Sequence, residues 1–399
     1  MQTFAIVGSG PAALMAASRL LLARPELGSR IHIFEKRKAL GRKLLIAGSS
    51  GLNISHNLPV SEFAHVYEGF TEAYWEEVLH NFGIKEWLEF ISNELKLETF
   101  LGTSERYFVR EMKASLLLKR WTEWLKEKSV RFHTESELTD FESNGCDVSL
   151  RFTHFTTGEN KVLNFSKVVL ALGGASWETE TPAWSKLFLK KEIPMIPFLP
   201  SNVGYEVDWS EKFLQEAEGK PLKKICLKSP RGEKMGELVV TRYGLEGTPI
   251  YFCGMPGPVF LDLMPDLTEA EIERRLSRVK ENLSPFRRVK HLLKLSDAAQ
   301  SLLFHHSEPQ VKSDLRALIH QIKHFPLVLK QARPLSEAIS SKGGVDLCVL
   351  ERSFALKSLP QIFCIGEMLA WDAPTGGFLI QAAVSQGAWV GDHLANSCQ

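Results

Sequence analysis

A glycine turn set between an apolar strand and an Ala-rich helix constrains this chain more than any other feature. Phe4 to Val7 form a short apolar run, Gly8-Ser9-Gly10-Pro11-Ala12-Ala13 follows, and Leu14, Ala17, Leu20 and Leu21 then recur at helical spacing. A second apolar run, Ile31 to Phe34, ends in Glu35. Each part answers a need of a bound dinucleotide. Gly8 permits the sharp turn, Gly10 lets backbone approach a pyrophosphate, and Ala13 keeps the helix close to the sheet. The exposed amides of the Ser9 to Ala13 turn, Pro11 having none, and the positive end of the helix dipole hold the diphosphate. Glu35 stands where a carboxylate accepts from both ribose hydroxyls, and the loop "ARPELGS" explains a spacing longer than the usual ~20 residues.

Five basic residues lie between Lys36 and Lys43. Lys36, Arg37 and Lys38 read as a solvated run, with Lys36 next to the ribose acid. Arg42 and Lys43 lead instead into small residues, Gly48 to Gly51, and end at Asn53, so they are placed along the phosphates and the edge of a flat ring.

The chain has 399 residues, 44% of them hydrophobic, enough for two or three packed domains. Lys plus Arg (48) balance Asp plus Glu (47), so a net charge of +1 gives no global attraction to nucleic acid or to an anionic membrane. A small molecule is the expected partner. The six cysteines carry no CxxC or metal-type spacing, which argues against a zinc site or a redox-active dithiol, and no metal is expected. No apolar stretch approaches the ~20 residues of a membrane span, and the start reads as strand and not as signal peptide, so a cytoplasmic protein is expected.

Residues 71 to 128 read as helices, with Arg106, Tyr107, Arg110 and Lys113 before a helix start as candidate cleft residues. The pattern predicts a hairpin over about 138 to 165. "KVVLALGG" then gives a buried strand reaching Ala171 and ending at Gly173-Gly174, where backbone can crowd against a cofactor. From 193 to 263, Pro and Gly punctuate short apolar runs in the manner of a small β module. From Thr268 the pattern turns helical, opened by a Thr268/Glu271 capping box. "RRVKHLLKL" reads as a basic surface helix. The expected division is a discontinuous cofactor domain, 1–190 with 335–399, interrupted by a β-barrel-like module, 191–265, and a helical module, 266–334.

The C-terminal stretch repeats the logic of the first: strand Gln361 to Ile365, Gly366-Glu367, then Thr375-Gly376-Gly377 opening an apolar helix. FAD is long enough to ask for a second strand end and a second helix N-terminus. Glu367 can accept from ribityl hydroxyls, and the Gly376 and Gly377 amides can stabilise negative charge on a reduced flavin.

"GSGPAALMAA", "EKRKALGRKLLIAG", "VVLALGG", "SEAISSKGGVDL" and "GEMLAWDAPTGGFLIQAAVSQG" together resemble the BaiN/YhiN-like bacterial flavoprotein family of NAD(P)/FAD-dependent oxidoreductases. The resemblance implies an α/β, glutathione-reductase-like, three-layer Rossmann FAD domain with the inserted β-barrel and helical domain. By position, Gly8, Gly10 and Ala13 would hold pyrophosphate, Glu35 the ribose, Arg42 and Lys43 the phosphate or flavin side, and Gly173 the cofactor wall. Gly366, Glu367, Gly376, Gly377, Phe378 and Gln381 would surround ribityl and flavin. Two departures stand out. The family's Arg-Cys-Asn keeps only Asn53, and its Gly-Tyr-Asn-Leu-Gln becomes Gly377-Phe378-Leu379-Ile380-Gln381, a more apolar face that points to an apolar substrate. With one dinucleotide fingerprint, NAD(P)H is expected as a transient donor, and the acceptor as a small organic molecule held between flavin and insert. Lys342 in "SSKGGV" is a candidate counter-charge, and Tyr107 and His56 are candidate acids. The alternatives are an oxidase passing electrons to O₂, a non-catalytic FAD-binding sensor, and an RNA-modifying flavoprotein.

Overall fold

The computed structural model describes residues 2–48, 51–277 and 283–398. Ser49 and Ser50 of the small-residue segment before Asn53, and residues 278–282 of the helix expected after Thr268, lie outside the described residues. The chain divides into two compact units, Met1–Leu199 with Ser341–Gln399, and Pro200–Ser340.

The first unit is built on a six-stranded sheet in the order Ala355–Leu356, Leu359–Cys364, Lys167–Leu170, Phe4–Val7 (β1), Ile31–Phe34 (β2), Arg131–His133. All neighbours run parallel except the first pair. All four residues of β1 are buried, which is why it reads as a continuous apolar run. Helix α1 (Pro11–Ala23) follows the glycine turn and is mated to the last helix, Phe378–Asn396. A Cβ added to Gly387 would lie 2.3 Å from the Ala12 carbonyl oxygen, and one on Gly391 2.6 Å from that of Ala16. Two glycines one turn apart thus let the backbones touch. Arg19 clamps Asp392 across the same seam with two bonds of 2.9 and 3.0 Å.

The expected hairpin is a three-stranded meander, Ser136–Ser143, Val148–His154 and Asn160–Phe165. Phe152 from it stacks on Phe34 at 4.1 Å, so helices, sheet and meander share one core. Between 71 and 128 the chain is not helical throughout. Glu72–Asn81, Ile84–Asn93 and Ala114–Glu127 are helices, but Thr99–Leu101 and Arg106–Val109 form a hairpin that Ser55–His56 joins as a third strand. The Gly102 amide donating to the Arg106 carbonyl closes that turn, and Phe100 and Phe108 alternate to stack across it at 5.5 Å.

The second unit has a six-stranded antiparallel sheet, ordered Tyr205–Glu206, Gly244–Glu246, Gly232–Thr241, Pro221–Ser229, Gly257–Asp262, Phe325–Leu329. Its two edge strands are linked. The Lys330 amide donates to Glu206 O at 2.8 Å and the Glu206 amide to Gln331 O at 3.0 Å. One hydrophobic core gathers sheet residues such as Leu222 and Ile225 with helical Ile272, Leu302, Leu318 and Ile322. The Thr268/Glu271 capping box forms as expected.

Candidate functional site

The glycine turn opens on a cleft in the first unit. Gly8 to Pro11, Glu35 to Arg37, Gly41 to Leu44 and Ala171 to Gly174 line it, with Glu178, Pro182 and Trp184. Gly8 has φ +114°, and a Cβ there would meet the Ala171 carbonyl oxygen at 2.1 Å, so the turn tolerates no side chain. At Gly10 a Cβ would meet nothing within 4 Å. That open space sits at the N-cap of α1, where no side chain caps the first-turn amides and Pro11 takes the first helical position. Ala12 and Ala13 are buried behind it.

Ser9 ties the parts of this cleft together. Its hydroxyl donates to Glu35 Oε2 at 2.5 Å and accepts the Gly41 amide at 2.9 Å. Glu35 Oε1 accepts the Arg37 amide at 2.9 Å. Lys36 lines the cleft, and Arg42 pairs with Glu178 at 3.3 Å. Lys43 donates to the Gly174 carbonyl at 2.6 Å. Burial pushes the Lys43 ammonium below its usual range, against the pull of Glu367 and Glu178. Gly173 has φ +74°, and a Cβ added there would lie 3.7 Å from that ammonium.

The C-terminal stretch reaches the same place. Gly366 has φ +80°, and a Cβ on it would sit 3.2 Å from the Ala12 Cβ. Its amide donates to Gln386 Oε1 at 2.7 Å and its carbonyl accepts Trp371 Nε1 at 2.8 Å. Glu367 accepts from the Ser341 amide at 3.1 Å and the Ser176 hydroxyl at 3.4 Å. Gly174 packs so tightly on Glu367 that a Cβ would lie 2.9 Å from its carboxyl carbon.

Thr375, Gly376 and Gly377 stand apart from the cleft-lining residues, at the start of the last helix. Gly376 (φ +112°) faces Arg106, 3.2 Å from the would-be Cβ to Nε, and Gly377 (φ +104°) lies on the Ser55 backbone. Two expected ring contacts are turned into the core. Gln381 is fully buried and its amide is taken up by Ser55, Phe82 and Ser385. Phe378 stacks with His56 at 4.9 Å and packs on Phe63 at 4.8 Å, while its carbonyl accepts the Tyr67 hydroxyl. Both sit in the first turn of an apolar helix, whose inward face leaves them no other direction. Lys342 is exposed, whereas its neighbour Ser341 is buried, its amide donating to Glu367 and its hydroxyl accepting the Ala175 amide at 2.7 Å. Arg110 pairs with Glu98, and Tyr107 donates to Asn57 at 3.2 Å.

Four of the buried polar atoms that lack a hydrogen-bond partner among the described residues are Trp184 Nε1 in the cleft, Gln386 Nε2 behind Gly366, Arg106 Nε beside Gly376, and Asn53 Oδ1. Orphaned donors and acceptors are rare in folded proteins unless a bound group satisfies them. Ser341, Ser176, Glu178, Trp184 and Gln386 carry no motif of their own, although Ser341 lies in "SSKGGV".

The family model for the HI0933-like protein Rossmann domain matches residues 2–393. The chain belongs to that family. Among curated relatives, this HI0933-like chain is 21% identical over 98% of both chains to the 3-dehydro-bile acid delta(4,6)-reductase of Clostridium scindens. It is 22% identical over 95% of both chains to the ribosomal RNA dihydrouridine synthase of Haemophilus influenzae. Among solved structures, 3-ketosteroid delta1-dehydrogenase from Sterolibacterium denitrificans covers all of both chains at 11% identity and TM-score 0.54, a likeness of fold. The HI0933-like chain therefore carries a Rossmann-type domain in a mixed α/β protein. Among its described residues no helix is long and apolar enough to cross a membrane.

Proposed function

We propose that the chain binds FAD, receives hydride from transiently bound NAD(P)H, and reduces a carbon–carbon double bond conjugated to a carbonyl in a small organic acceptor. The observation that carries this reading is the seating of Gly366 against Ala12, which brings the Glu367 strand end to the N-terminus of α1. One fold thereby offers two grips to one long cofactor. The open space at Gly10, the uncapped amides of α1 and the four orphaned polar atoms fit such a group.

In this reading the α1 amides hold the diphosphate, Glu35 the ribose, and Lys43 and Arg42 the adjoining charge. Glu367 accepts from the ribityl chain while Ser341 and Ser176 fix its orientation. Arg106 and the Gly376–Gly377 amides place positive potential at the first turn of the last helix, where charge develops on reduction. Bound FAD would supply hydride transfer at N5. The substrate class follows from the relatives' names, since a 3-dehydro-delta(4,6) bile acid and a uracil both carry a double bond conjugated to a carbonyl. We take the 200–340 unit to be the inserted β-barrel and helical domain of this flavoprotein plan.

The test is the absorption spectrum of the purified protein, followed by anaerobic reduction with NADH or NADPH and stopped-flow reoxidation. Flavin bands and slow reoxidation by O₂ without an organic acceptor are expected. A colourless protein that FAD does not reconstitute overturns the cofactor assignment, and fast reoxidation by O₂ alone overturns the reductase assignment.

A second reading places the double bond in an RNA base. It is favoured by the Haemophilus influenzae relative and by the helix Pro285–Leu292, which buries Val289 and exposes Arg287, Lys290 and His291, with Lys294 exposed just beyond. Filter binding that persists above moderate salt, and weakens when Arg287 and Lys290 become Glu, supports it. Binding lost at moderate salt removes it.

A further inference from the structure

In the second unit, three metal-type side chains meet on two antiparallel helices. Glu269 begins the helix Glu269–Leu276, while His320 lies one turn before His324 at the end of Leu315–Lys323. Their ligand atoms all lie within 4.8 Å of one another. His320 Nδ1 stands 3.1 Å from Glu269 Oε1, His324 Nδ1 3.7 Å from the same oxygen, and the two imidazoles stack at 4.6 Å. Around a tetrahedral zinc-class ion with bonds of about 2.0–2.2 Å, neighbouring ligand atoms sit about 3.3 Å apart. The cluster is therefore already close to that geometry.

Two further observations point to an ion. His324 Nδ1 is buried and forms no hydrogen bond among the described residues, since 3.7 Å to a carboxylate oxygen is too long for one. The helix Leu315–Lys323 also directs the negative end of its dipole toward the cluster, which favours a cation. The frame is held on both sides. Lys323 is bonded to Asp262 at 2.7 Å and to the carbonyls of Met264 and Leu267 at 2.9 and 2.6 Å, and the Thr268 capping box fixes the start of the partner helix. One turn along each helix, Arg316 and Glu273 pair at 3.7 Å, so the register that joins Glu269 to His320 is repeated.

We propose that Glu269, His320 and His324 bind one divalent transition ion of the zinc class, with water completing a four-coordinate shell. Two imidazole nitrogens select against magnesium and calcium, which take oxygen ligands. Bound there, the ion bridges the two helices and braces the core of this unit. No electron transfer is involved.

Full-length, tag-free protein stripped with chelator is titrated with Zn²⁺ at pH 7.5 by calorimetry. One ion per chain is expected, with a rise in the thermal unfolding midpoint. His320→Ala and His324→Ala should each weaken binding by about tenfold or more. Protection of His320 and His324 from diethyl pyrocarbonate by Zn²⁺, mapped by mass spectrometry, reads the same site without any variant. Absence of saturable binding, unprotected histidines, or unchanged affinity in the double histidine variant overturns the assignment.

Discussion

The Ser9 hydroxyl donates to Glu35 at 2.5 Å while accepting the Gly41 amide at 2.9 Å. One small side chain thus joins the glycine turn, the end of β2 and the start of the basic segment. The turn, the acid and Arg42–Lys43 are therefore placed as one rigid set, and Glu35 is presented with its second oxygen held by the Arg37 amide.

Glu35→Ala should weaken FAD binding by roughly ten- to a hundredfold, since hydrogen bonds to a charged acceptor contribute about 1.5–3 kcal/mol. Titration of apoprotein into free flavin, followed by fluorescence quenching, measures it. Ser9→Ala should cost less, because it loosens the acid without removing it. Equal affinity in wild type and Glu35→Ala would contradict the ribose role.

Two glycines should separate binding from stability. Gly10→Ala has free space in the protein, so the apoprotein should unfold at an unchanged temperature while its FAD affinity falls. Gly387→Ala drives a methyl toward the Ala12 carbonyl and should lower stability by about 1–3 kcal/mol, less any gain in helix propensity. Calorimetric unfolding of both variants, alongside flavin titration, tests the contrast.

Arg106→Met should make the flavin harder to reduce and lower turnover by on the order of a hundredfold, the usual effect of losing one stabilising donor. Arg106→Lys should restore part of the potential. Potentiometric titration with reference dyes reads this without reliance on a substrate. An unaltered potential in Arg106→Met would place the guanidinium away from the ring.

His32 and His133 stack at 5.1 Å with Nδ1 and Nε2 3.0 Å apart. Burial first, then His133, Arg131 and Lys161, push His32 from 6.5 down to about 4, and burial, Lys161 and Arg131 lower His133 as well. Between those values the unfolded chain takes up protons that the folded chain refuses, so stability falls as pH drops from 6.5 toward 4. His32→Asn should lose less stability over that window. Urea midpoints at pH 7 and pH 4.5 for both proteins decide it.

The local parts of the site were legible because each is written in consecutive residues. β1, the glycine turn, α1 and Glu35 follow from apolar period, small-residue spacing and a terminal acid. What joins distant segments left no such mark. Ser341 reaches Ala175 and Glu367, and Gly376 faces Arg106, through tertiary approach that no period encodes. In "SSKGGV" the charged residue drew the functional expectation, yet Lys342 points outward and the small hydroxyl beside it makes the contacts. Likewise, Phe378 and Gln381 looked like ring contacts because they follow the Thr-Gly-Gly turn, while helix geometry carries them into the core. The strands between 99 and 109 were hidden among helices because each is too short to establish a period of two.

The seam between α1 and the last helix also sets a timetable for synthesis. Arg19 and Asp392 are 373 positions apart, and at about 5–20 residues per second the first helix waits roughly 20 to 75 seconds for its mate. Throughout that interval the buried face of α1, with Ala12, Ala16 and Leu20, has no helix to cover it. Until that helix follows, the growing chain carries an open, adhesive flank, and a ribosome that stalls before it would release a protein in that state.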